Sequence, residues 1–342
     1  MTGKWKTSSS YHCASPTERM WKTLSEMRAA RYDRYGPPEV LYEATVPVPV
    51  AKPEEALVRV HAASVNGGEL AMRAGKLALL GGRNFPKSTG IDFAGEVVTP
   101  ASGPAGPKAG DRVWGVMPLR RIGSAAEFVA VEPRRLALSP TGLDLVPAAA
   151  LPGVGTTAIT ALRDKARLQP GERLLVRGAS GGVGSVAVQL GRALGARVTA
   201  LAGAKNLDFV RDLGAEEAFD YATTGPAGLG AFDVVLDTVG TGLDPYRRLL
   251  TSRGRMVSIS FDPGHVLASA AYLLATTVFG PRRVRFFSGN PTHKLLSELT
   301  GYVESGALRP VVDTVFPLAD IAGAHRALEV GGVRGKHVVQ VV

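Results

Sequence analysis

A glycine-dense turn between two apolar runs places the strongest constraint on the fold of this chain. The apolar run at residues 174–176 precedes the turn at 178–184, and a helical pattern follows it as far as Gly195. A second apolar run, at residues 198–201, completes a strand, turn, helix and strand. Such a unit aims the free N–H groups of a helix start at an anion, so it predicts a site for dinucleotide phosphates.

Further apolar runs at residues 217–219, 234–236 and 256–259 alternate with helical or glycine-rich segments. This alternation predicts a parallel, doubly wound sheet of the Rossmann type. Residues 28–146 instead carry short strand patterns between glycine and proline residues, which favour a small β-barrel. Because strand patterns return after residue 310, the predicted fold is α/β, with the Rossmann-type domain inserted into the β-domain.

These patterns predict four segments. Residues 1–26 are polar and are expected to form a disordered N-terminal extension, although a mis-assigned start or a targeting segment is an alternative. Residues 27–149 form the first part of the β-domain and residues 150–284 the dinucleotide domain. Residues 285–342 return to the β-domain and complete it.

Composition excludes several classes of protein. The chain has 342 residues, 45% of them hydrophobic, and a formal charge of +10 from scattered basic residues, which favours an anionic small molecule over a nucleic acid. Cys13 is the single cysteine, so no disulfide forms within the chain and a cytoplasmic location is expected. The longest apolar run, at residues 266–280, is shorter than the roughly 20 residues that span a bilayer, so no membrane association is predicted.

The glycine-rich turn contains two overlapping motifs. Residues 179–184 read ASGGVG, a dinucleotide fingerprint with alanine at its first position. In it, Gly181 lets the backbone approach the pyrophosphate and Gly184 lets the helix lie close to the strand. Residues 178–182 read GASGG, the nucleophile-elbow pattern of a serine hydrolase, which would make Ser180 a nucleophile with one of the later histidines as its base. The two further glycines at phosphate-binding spacing favour the dinucleotide.

The end of the second strand indicates which cofactor binds. NAD-binding units carry an acidic residue there for the ribose hydroxyls, whereas residues 200–206 contain no acid and hold Lys205. A cation at this position suits the extra phosphate of NADP through a charge-assisted hydrogen bond. The alternative is that Lys205 is an ordinary exposed lysine at a helix start.

With these features, residues 27–342 resemble the zinc-free quinone oxidoreductase branch (zeta-crystallin-like) of the medium-chain dehydrogenase/reductase family. The resemblance implies a GroES-like β-domain, a Rossmann domain and an active site between them. The segments that carry it, besides the glycine-rich turn, are ASVN (63–66), GIDFAGE (90–96), GDRV (110–113), TA (157–158), FDY (219–221), DVVLDTVG (233–240), GRMV (254–257) and GK (335–336).

Zinc-dependent relatives carry Cys-x-x-Asp where this chain has Asn66, two glycines and Glu69, and they carry Gly-His-Glu where it has Gly90, Ile91 and Asp92. Both metal ligands are replaced, so no catalytic zinc is predicted. Without that Lewis acid, hydride transfer to a conjugated acceptor stays feasible. The resemblance therefore implies an NADPH-dependent reductase of quinones or α,β-unsaturated carbonyls, acting as a homodimer on a small-molecule substrate.

The resemblance also implies the site residues. Asn66 and Thr157 would lie at the nicotinamide end and act in catalysis, and Lys205 and Tyr221 would lie at the adenosine phosphate. The full cofactor-binding set is Asn66, Thr157, Ser180, Gly181, Gly182, Val183, Gly184, Lys205, Tyr221, Val239, Phe287 and Lys336. Structural alternatives stay open for five of them: a helix cap for Asn66, helix packing for Thr157, a strand-end aromatic for Tyr221, core for Phe287 and a solvated turn for Lys336.

Three other functions stay open from the sequence. One is a biosynthetic enoyl reductase that acts on a carrier-bound or polyketide-like intermediate, with the basic surface meeting an acidic carrier. Another is a cofactor-binding protein with little turnover. The third is the serine hydrolase that uses Ser180.

Overall fold

The structure is a computed structural model, and it describes residues 25–78, 82, 84–103, 106–260 and 284–342. The apolar run at residues 266–280, Cys13 and most of the predicted N-terminal extension lie outside these ranges. Glu26, the last residue of that extension, already begins the first described strand.

The strands follow the apolar runs of the sequence. In chain order they are β1 (Glu26–Tyr32), β2 (Leu41–Pro47), β3 (Ala56–Ser64), β4 (Lys87–Ser88), β5 (Asp92–Thr99), β6 (Arg112–Val116), β7 (Phe128–Val131), β8 (Leu136–Leu138), β9 (Arg173–Arg177), β10 (Arg197–Ala202), β11 (Glu217–Asp220), β12 (Phe232–Asp237), β13 (Leu250–Ser258), β14 (Val284–Phe286), β15 (Val312–Pro317) and β16 (Lys336–Gln340).

The helices connect these strands. They are α1 (Gly67–Arg73), α2 (Leu145–Ala148), α3 (Pro152–Ile159), which continues as a π-helix over Thr160–Ala166, α4 (Gly182–Ala193), α5 (Leu207–Asp212), α6 (Leu243–Arg247), α7 (His293–Glu304) and α8 (Ile321–Val330). Single 3-10 turns lie at Pro38–Val40, Leu119–Arg121, Pro133–Arg135, Ala204–Asn206, Pro226–Gly228 and Leu318–Asp320. Within the described residues no helix has the length and apolarity needed to cross a membrane.

The central sheet has the strand order β11–β10–β9–β12–β13–β14, and its neighbouring strands all pair in parallel. This is the strand order of the Rossmann fold, so the predicted doubly wound parallel sheet is confirmed. The chain direction across the sheet reverses between β9 and β12, and ligands of such sheets bind at the carboxyl ends of the strands on either side of that point.

The β-domain consists of two sheets. The smaller has the order β2–β1–β4, and the larger runs β15–β16–β3–β5–β6–β8 with β7 also paired to β3. β16 pairs antiparallel with β3, with Val339 opposite Ala63. The last strands of the chain therefore complete a sheet that the first hundred residues begin, so the β-domain encloses the inserted Rossmann domain as the sequence predicts.

A buried ion pair fixes the strand ends at the switch point. Arg177 ends β9, and its guanidinium contacts the carboxylate of Asp237 at the end of β12, while it lies 3.7 Å from the ring centroid of Tyr246. The other oxygen of Asp237 accepts the N–H of Gly240 (2.8 Å) and the hydroxyl of Ser258 (3.0 Å). These contacts hold the carboxyl ends of β9, β12 and β13 together at the edge of the sheet where ligands bind.

Candidate active site

A cavity of about 600 Å³ opens between the β-domain and the Rossmann domain. Asn66 and Ile91 line it from the β-domain, and Thr157 on α3 and Val183 on α4 line it from the other side. The loop after β14, residues 288–291, forms a further wall. The structure therefore brings together the two residues that the sequence predicts at the nicotinamide end, Asn66 and Thr157. The Thr157 hydroxyl donates to the carbonyl of Gly153 (2.7 Å), one turn earlier on the same helix.

Asn66 forms part of a buried polar network. Its Nδ2 donates to Oε1 of Glu69 (2.8 Å), to Oδ1 of Asp92 (3.0 Å) and to the carbonyl of Ser64 (3.3 Å). Although Asn66 occupies the N-cap position of α1, its side chain makes no capping hydrogen bond. The capping interpretation therefore does not account for this side chain.

The two carboxylates of the network are buried and fully hydrogen-bonded. Oε2 of Glu69 accepts the hydroxyl of Thr89 (2.8 Å) and the N–H of Gly90 (2.9 Å). Burial raises the pKa of the Glu69 carboxyl, and the nearby charge of Asp92 also raises it, while hydrogen bonds from Asn66 and Thr89 lower it. Each oxygen thus has a donor, as a buried carboxylate requires.

Lys336, at the start of β16, closes the network from the far end of the chain. Its Nζ donates to Oδ1 of Asn66 (2.7 Å) and to the carbonyl of Val65 (2.5 Å). Only 5% of the residue is exposed, so the interpretation of Lys336 as a solvated turn residue is wrong. Burial lowers the pKa of the Lys336 ammonium, and the charges of Asp92 and Glu69 oppose that shift.

The network predicts the effect of a substitution at Asn66. Serine is as good an N-cap residue as asparagine, so Asn66→Ser preserves any capping. It removes the amide that joins both carboxylates to the Lys336 ammonium, and we expect the free energy of unfolding to fall by about 1–3 kcal/mol. Urea denaturation measures this change, with Asn84→Ser at an exposed position as the matched control. Equal stability of the Asn66→Ser variant and the native chain would show that the hydrogen bonds of the Asn66 amide do not stabilise the fold.

The glycine-rich turn has the shape that a dinucleotide requires. A Cβ on Gly184 would lie 2.1 Å from the carbonyl oxygen of Gly178, so α4 can approach β9 this closely only with glycine there. A Cβ on Gly181 would meet only that same oxygen, at 3.5 Å, which leaves the turn open to a ligand. The N–H groups at the start of the 12-residue helix α4 face the same side, and phosphate binds at such helix starts.

Lys336 lies directly beside this turn. A Cβ added to Gly182 would lie 2.8 Å from Cδ of Lys336, so the lysine side chain packs against the backbone of the turn. The preceding residue, Gly335, donates its N–H to the carbonyl of Ser180 (2.7 Å), which ties the β-domain strand to the Rossmann turn. A buried ammonium next to a helix N-terminus is suited to a phosphate ligand.

The predicted adenosine end lies beyond the carboxyl end of β10. Lys205 lies in the 3-10 turn Ala204–Asn206 and is exposed. Tyr221 follows β11 and is 66% exposed, with its ring 3.5 Å from the position of a Cβ on Gly203. The two predicted residues therefore flank the same strand end. Tyr221 directly follows β11, so its interpretation as a strand-end aromatic stays open beside the cofactor role.

The remaining predicted residues lie along the strand ends. Val239 follows β12 and is 43% exposed, and its Cγ2 lies 3.3 Å from the position of a Cβ on Gly178. Phe287 follows β14 and is half-buried against the main core, next to the loop that lines the cavity. No contact in the structure separates a cofactor role of Phe287 from a core role, and its assignment stays a prediction.

Sequence reasoning missed one residue at the adenosine end. Arg334 donates from Nη2 to the carbonyl of Lys205 (2.7 Å) and from Nε to Oδ1 of Asn206 (2.9 Å), and its guanidinium lies 5.8 Å from the ring centroid of Phe209. A second cation therefore stands beside Lys205. The sequence signal was present, because Arg334 immediately precedes the Gly335 and Lys336 pair.

The positions that hold zinc in the metal-dependent relatives are not suited to zinc here. Asn66, Glu69 and Asp92 satisfy one another's hydrogen bonds, and the Lys336 ammonium stands where a cation would be repelled. Zinc in proteins prefers sulfur and imidazole ligands, and Ile91 replaces the histidine. In the described ranges, no three His, Cys, Asp or Glu side chains are grouped to hold a metal. The zinc-free assignment stays a prediction.

Ser180 does not have the geometry of a nucleophile elbow. That motif holds its serine in a strained backbone with positive φ. Among the described residues other than glycine, Arg167 alone has a positive φ. The structure also shows no hydrogen bond in its described part between the Ser180 hydroxyl and a histidine. No observation favours the hydrolase.

A mainly antiparallel β-domain whose sequence flanks a Rossmann domain on both sides, with a cavity between the two, is the architecture of a two-domain dehydrogenase. Comparison with known families agrees. Residues 52–141 match the family model "Alcohol dehydrogenase GroES-like domain", and residues 213–339 match the family model "Zinc-binding dehydrogenase".

Named relatives make the assignment narrower. The chain is 33% identical to a 2-methylene-furan-3-one reductase of Solanum lycopersicum, over 98% of this chain and 84% of that protein. It is 33% identical to a chloroplastic NADPH-dependent alkenal/one oxidoreductase of Arabidopsis thaliana, over 92% of this chain and 79% of that protein. The solved quinone oxidoreductase of Coxiella burnetii superposes with a TM-score of 0.82 at 31% identity, over 93% of this chain and all of that one. The chain therefore belongs to the quinone oxidoreductase branch of the medium-chain dehydrogenase/reductase family and is an oxidoreductase that uses a nicotinamide cofactor.

Proposed function

We propose that this protein is an NADPH-dependent, zinc-independent reductase of quinones or α,β-unsaturated carbonyl compounds. The observation that carries the proposal is the cavity bounded by Asn66, Thr157 and Val183, which adjoins the glycine-rich turn. The buried Lys336 ammonium contacts Asn66, at a position where zinc-dependent relatives carry a metal ligand. The names of the relatives, which include quinone and alkenal/one oxidoreductases, support the same substrate class.

In this proposal each part of the site has a separate task. The turn at residues 181–184 and Lys336 bind the cofactor phosphates, and Lys205 with Arg334 binds the adenosine 2′-phosphate. When bound, NADPH supplies a hydride. Asn66 and Thr157 orient the reacting groups in the cavity. A conjugated acceptor delocalises the charge that the hydride brings, so no metal is required at the acceptor oxygen. The proton that completes the reduction comes from water.

The direct test is NADPH oxidation by the purified protein, followed by absorbance, with 4-hexen-3-one and then with 9,10-phenanthrenequinone as acceptor. We expect turnover with at least one acceptor. We also expect activity to survive dialysis against a strong chelator, because the network around Asn66 leaves no place for zinc. Failure to bind millimolar NADPH would refute the function, and loss of activity that zinc restores would refute metal independence.

The runner-up is a biosynthetic enoyl reductase that acts on carrier-bound intermediates. One observation favours it: arginine side chains, Arg120 and Arg135, line the mouth of the cavity. A carrier-specific enzyme would reduce an enoyl thioester only on its carrier protein. Equal rates with the free and the carrier-bound thioester would therefore count against this candidate.

A further inference from the structure

A second cavity, of about 790 Å³, lies in the β-domain next to the first one. Gly68, Ile91, Leu119 and Arg120 line both cavities and so form the wall between them. Gly68 contributes no side chain to this wall, and a Cβ added there would have no other atom within 4 Å, so the space around it is open. A substrate with its reacting end beside Asn66 thus has a second compartment available for its remaining length.

The two compartments carry positive charge. Among the described residues that line them, four are cationic and none is acidic: Arg31, Lys87, Arg120 and Arg135. Glu69 and Asp92, which lie beside Asn66, have their oxygens occupied by the hydrogen bonds of the Asn66 network, and the negative charge of Glu132 acts on Arg135 from outside the lining. The cavities therefore present a positive potential that no lining carboxylate offsets.

Arg120 is the cation that both compartments share. It lies in the 3-10 turn Leu119–Arg121, it is exposed, and in the described part of the chain its guanidinium makes no hydrogen bond or ion pair. Its neighbour Arg121, by contrast, pairs with Glu55. The Nε of Arg31, in the second compartment, is buried and also lacks a hydrogen-bond partner. Buried polar atoms are normally paired, so the Arg31 Nε lacks an acceptor that an anion would provide. The Arg120 guanidinium is exposed and is therefore accessible to an anion.

The rest of the second compartment is apolar and aromatic. Tyr32, Tyr35, Met72 and Ile122 line it, and Leu119 on the dividing wall is 56% exposed. An apolar lining with cations at its edge suits a hydrocarbon chain that ends in an anionic group.

We infer that the preferred substrate is an enone or enoyl compound whose non-reacting end carries an anionic group, a carboxylate or a phosphate, that Arg120 binds. This inference rests on the proposed function and makes its substrate class more specific. The reacting double bond lies in the first compartment by Asn66 and Thr157, and the charged end lies at the wall or in the second compartment.

Two matched pairs of substrates test the inference. The first pair is (E)-9-oxodec-7-enoic acid and its methyl ester, which differ only in the terminal charge. The second is the crotonyl thioester of 4′-phosphopantetheine and the crotonyl thioester of pantetheine, which differ only in the phosphate group. We expect kcat/KM for the anionic member of at least one pair to exceed that of its neutral partner by about tenfold or more at low salt, and the ratio to fall as salt is added. The pair that shows the ratio identifies the source of the charge.

Arg120→Gln identifies the residue responsible. We expect it to lower kcat/KM for the preferred anionic substrate by about tenfold through KM, to change the neutral partner less than twofold, and Arg120→Lys to restore part of the loss. Arg253→Gln is the matched control, since Arg253 is exposed on β13 and lines neither cavity. Equal efficiency within both pairs, or an equal loss for charged and neutral substrates, overturns the inference and leaves the proposed function intact. Absence of NADPH oxidation with every acceptor overturns both.

Discussion

Alanine at Gly184 is expected to destabilise the Rossmann domain, whereas alanine at Gly181 is expected to leave the fold intact and weaken cofactor binding. At Gly184 the added methyl group would lie 2.1 Å from the Gly178 carbonyl oxygen and 2.8 Å from Ala179 Cα, and both are backbone atoms. The helix start must then move away from β9, at a cost of about 3 kcal/mol. Alanine gains about 1 kcal/mol over glycine in helix propensity, so the net effect is destabilising.

Gly181 provides the contrast. Its backbone has φ −75° and ψ −179°, a conformation open to any residue, and a Cβ there makes only an ordinary contact. We therefore expect Gly181→Ala to unfold in urea at the same midpoint as the native chain or slightly above it. If the backbone at Gly181 contacts the pyrophosphate, the methyl group raises the Kd for NADPH by at least about tenfold, or about 1.4 kcal/mol. Fluorescence titration with NADPH measures this.

The two variants together separate a structural glycine from a ligand-binding glycine in the same motif. An unchanged unfolding midpoint for Gly184→Ala would show that the close approach of α4 to β9 is not required. Native NADPH affinity in Gly181→Ala would show that the phosphates bind elsewhere, and this would remove the main support for the cofactor prediction.

The turn was predictable because its chemistry is local. Strand, glycines and helix follow one another within about thirty residues, so hydrophobic periodicity and glycine spacing suffice. The parallel pairing of β9 to β13 follows from the same kind of pattern, since parallel strands need crossover connections of a recognisable length. Helix α8 was not predicted, because residues 321–330 lie between two strand patterns, and only the fold shows that Ile321 and Ala324 are buried.

The hydrogen-bond network of Asn66 at the cavity could not be predicted from local periodicity or residue spacing. The sequence indicates that Asn66 and Lys336 belong to one site only through the family resemblance, since 270 residues separate them. The two side chains meet because β16 pairs with β3. The residues around β16 in the sequence do not determine which strand it pairs with. The burial of Lys336 follows from the same pairing, so its charge environment has no signature in the neighbouring residues.

The cations around the cavities show the same limit. Arg31 on β1 and Arg120 in the 3-10 turn Leu119–Arg121 are 89 residues apart, so no spacing argument joins them. What the sequence did reveal was a basic chain without clustered basic residues and without a nucleic-acid motif. The fold resolves this observation in part, because it gathers several scattered cations at one opening. The net charge alone therefore predicts the sign of the ligand's charge but not the place where the ligand binds.

Cofactor selection is expected to reverse when Lys205 is replaced by glutamate. Lys205 and Arg334 stand together at the end of β10, and the stretch Gly203–Asn206 contains no acid. Asp208, the next carboxylate along the chain, pairs with Arg211 at 2.8 Å. The adenosine 2′-phosphate of NADPH would therefore meet two cations, whereas the 2′-hydroxyl of NADH would find no carboxylate in the turn at Gly203–Asn206 to accept its hydrogen bond.

We expect Lys205→Glu to lower kcat/KM with NADPH by about 30-fold or more, near 2 kcal/mol, because an attraction is exchanged for a repulsion. The same variant should keep or raise the efficiency with NADH, since glutamate can accept from a ribose hydroxyl. Lys205→Arg should retain the preference for NADPH, and Lys294→Glu, at an exposed position on α7, should leave both cofactors unaffected. Added salt should reduce the loss, because exposed charges are screened over about 10 Å at 0.1 M. Parallel losses with NADPH and NADH would instead mean that Lys205 supports the fold of the strand end, and NADPH selection would then rest on Arg334 or on residues elsewhere.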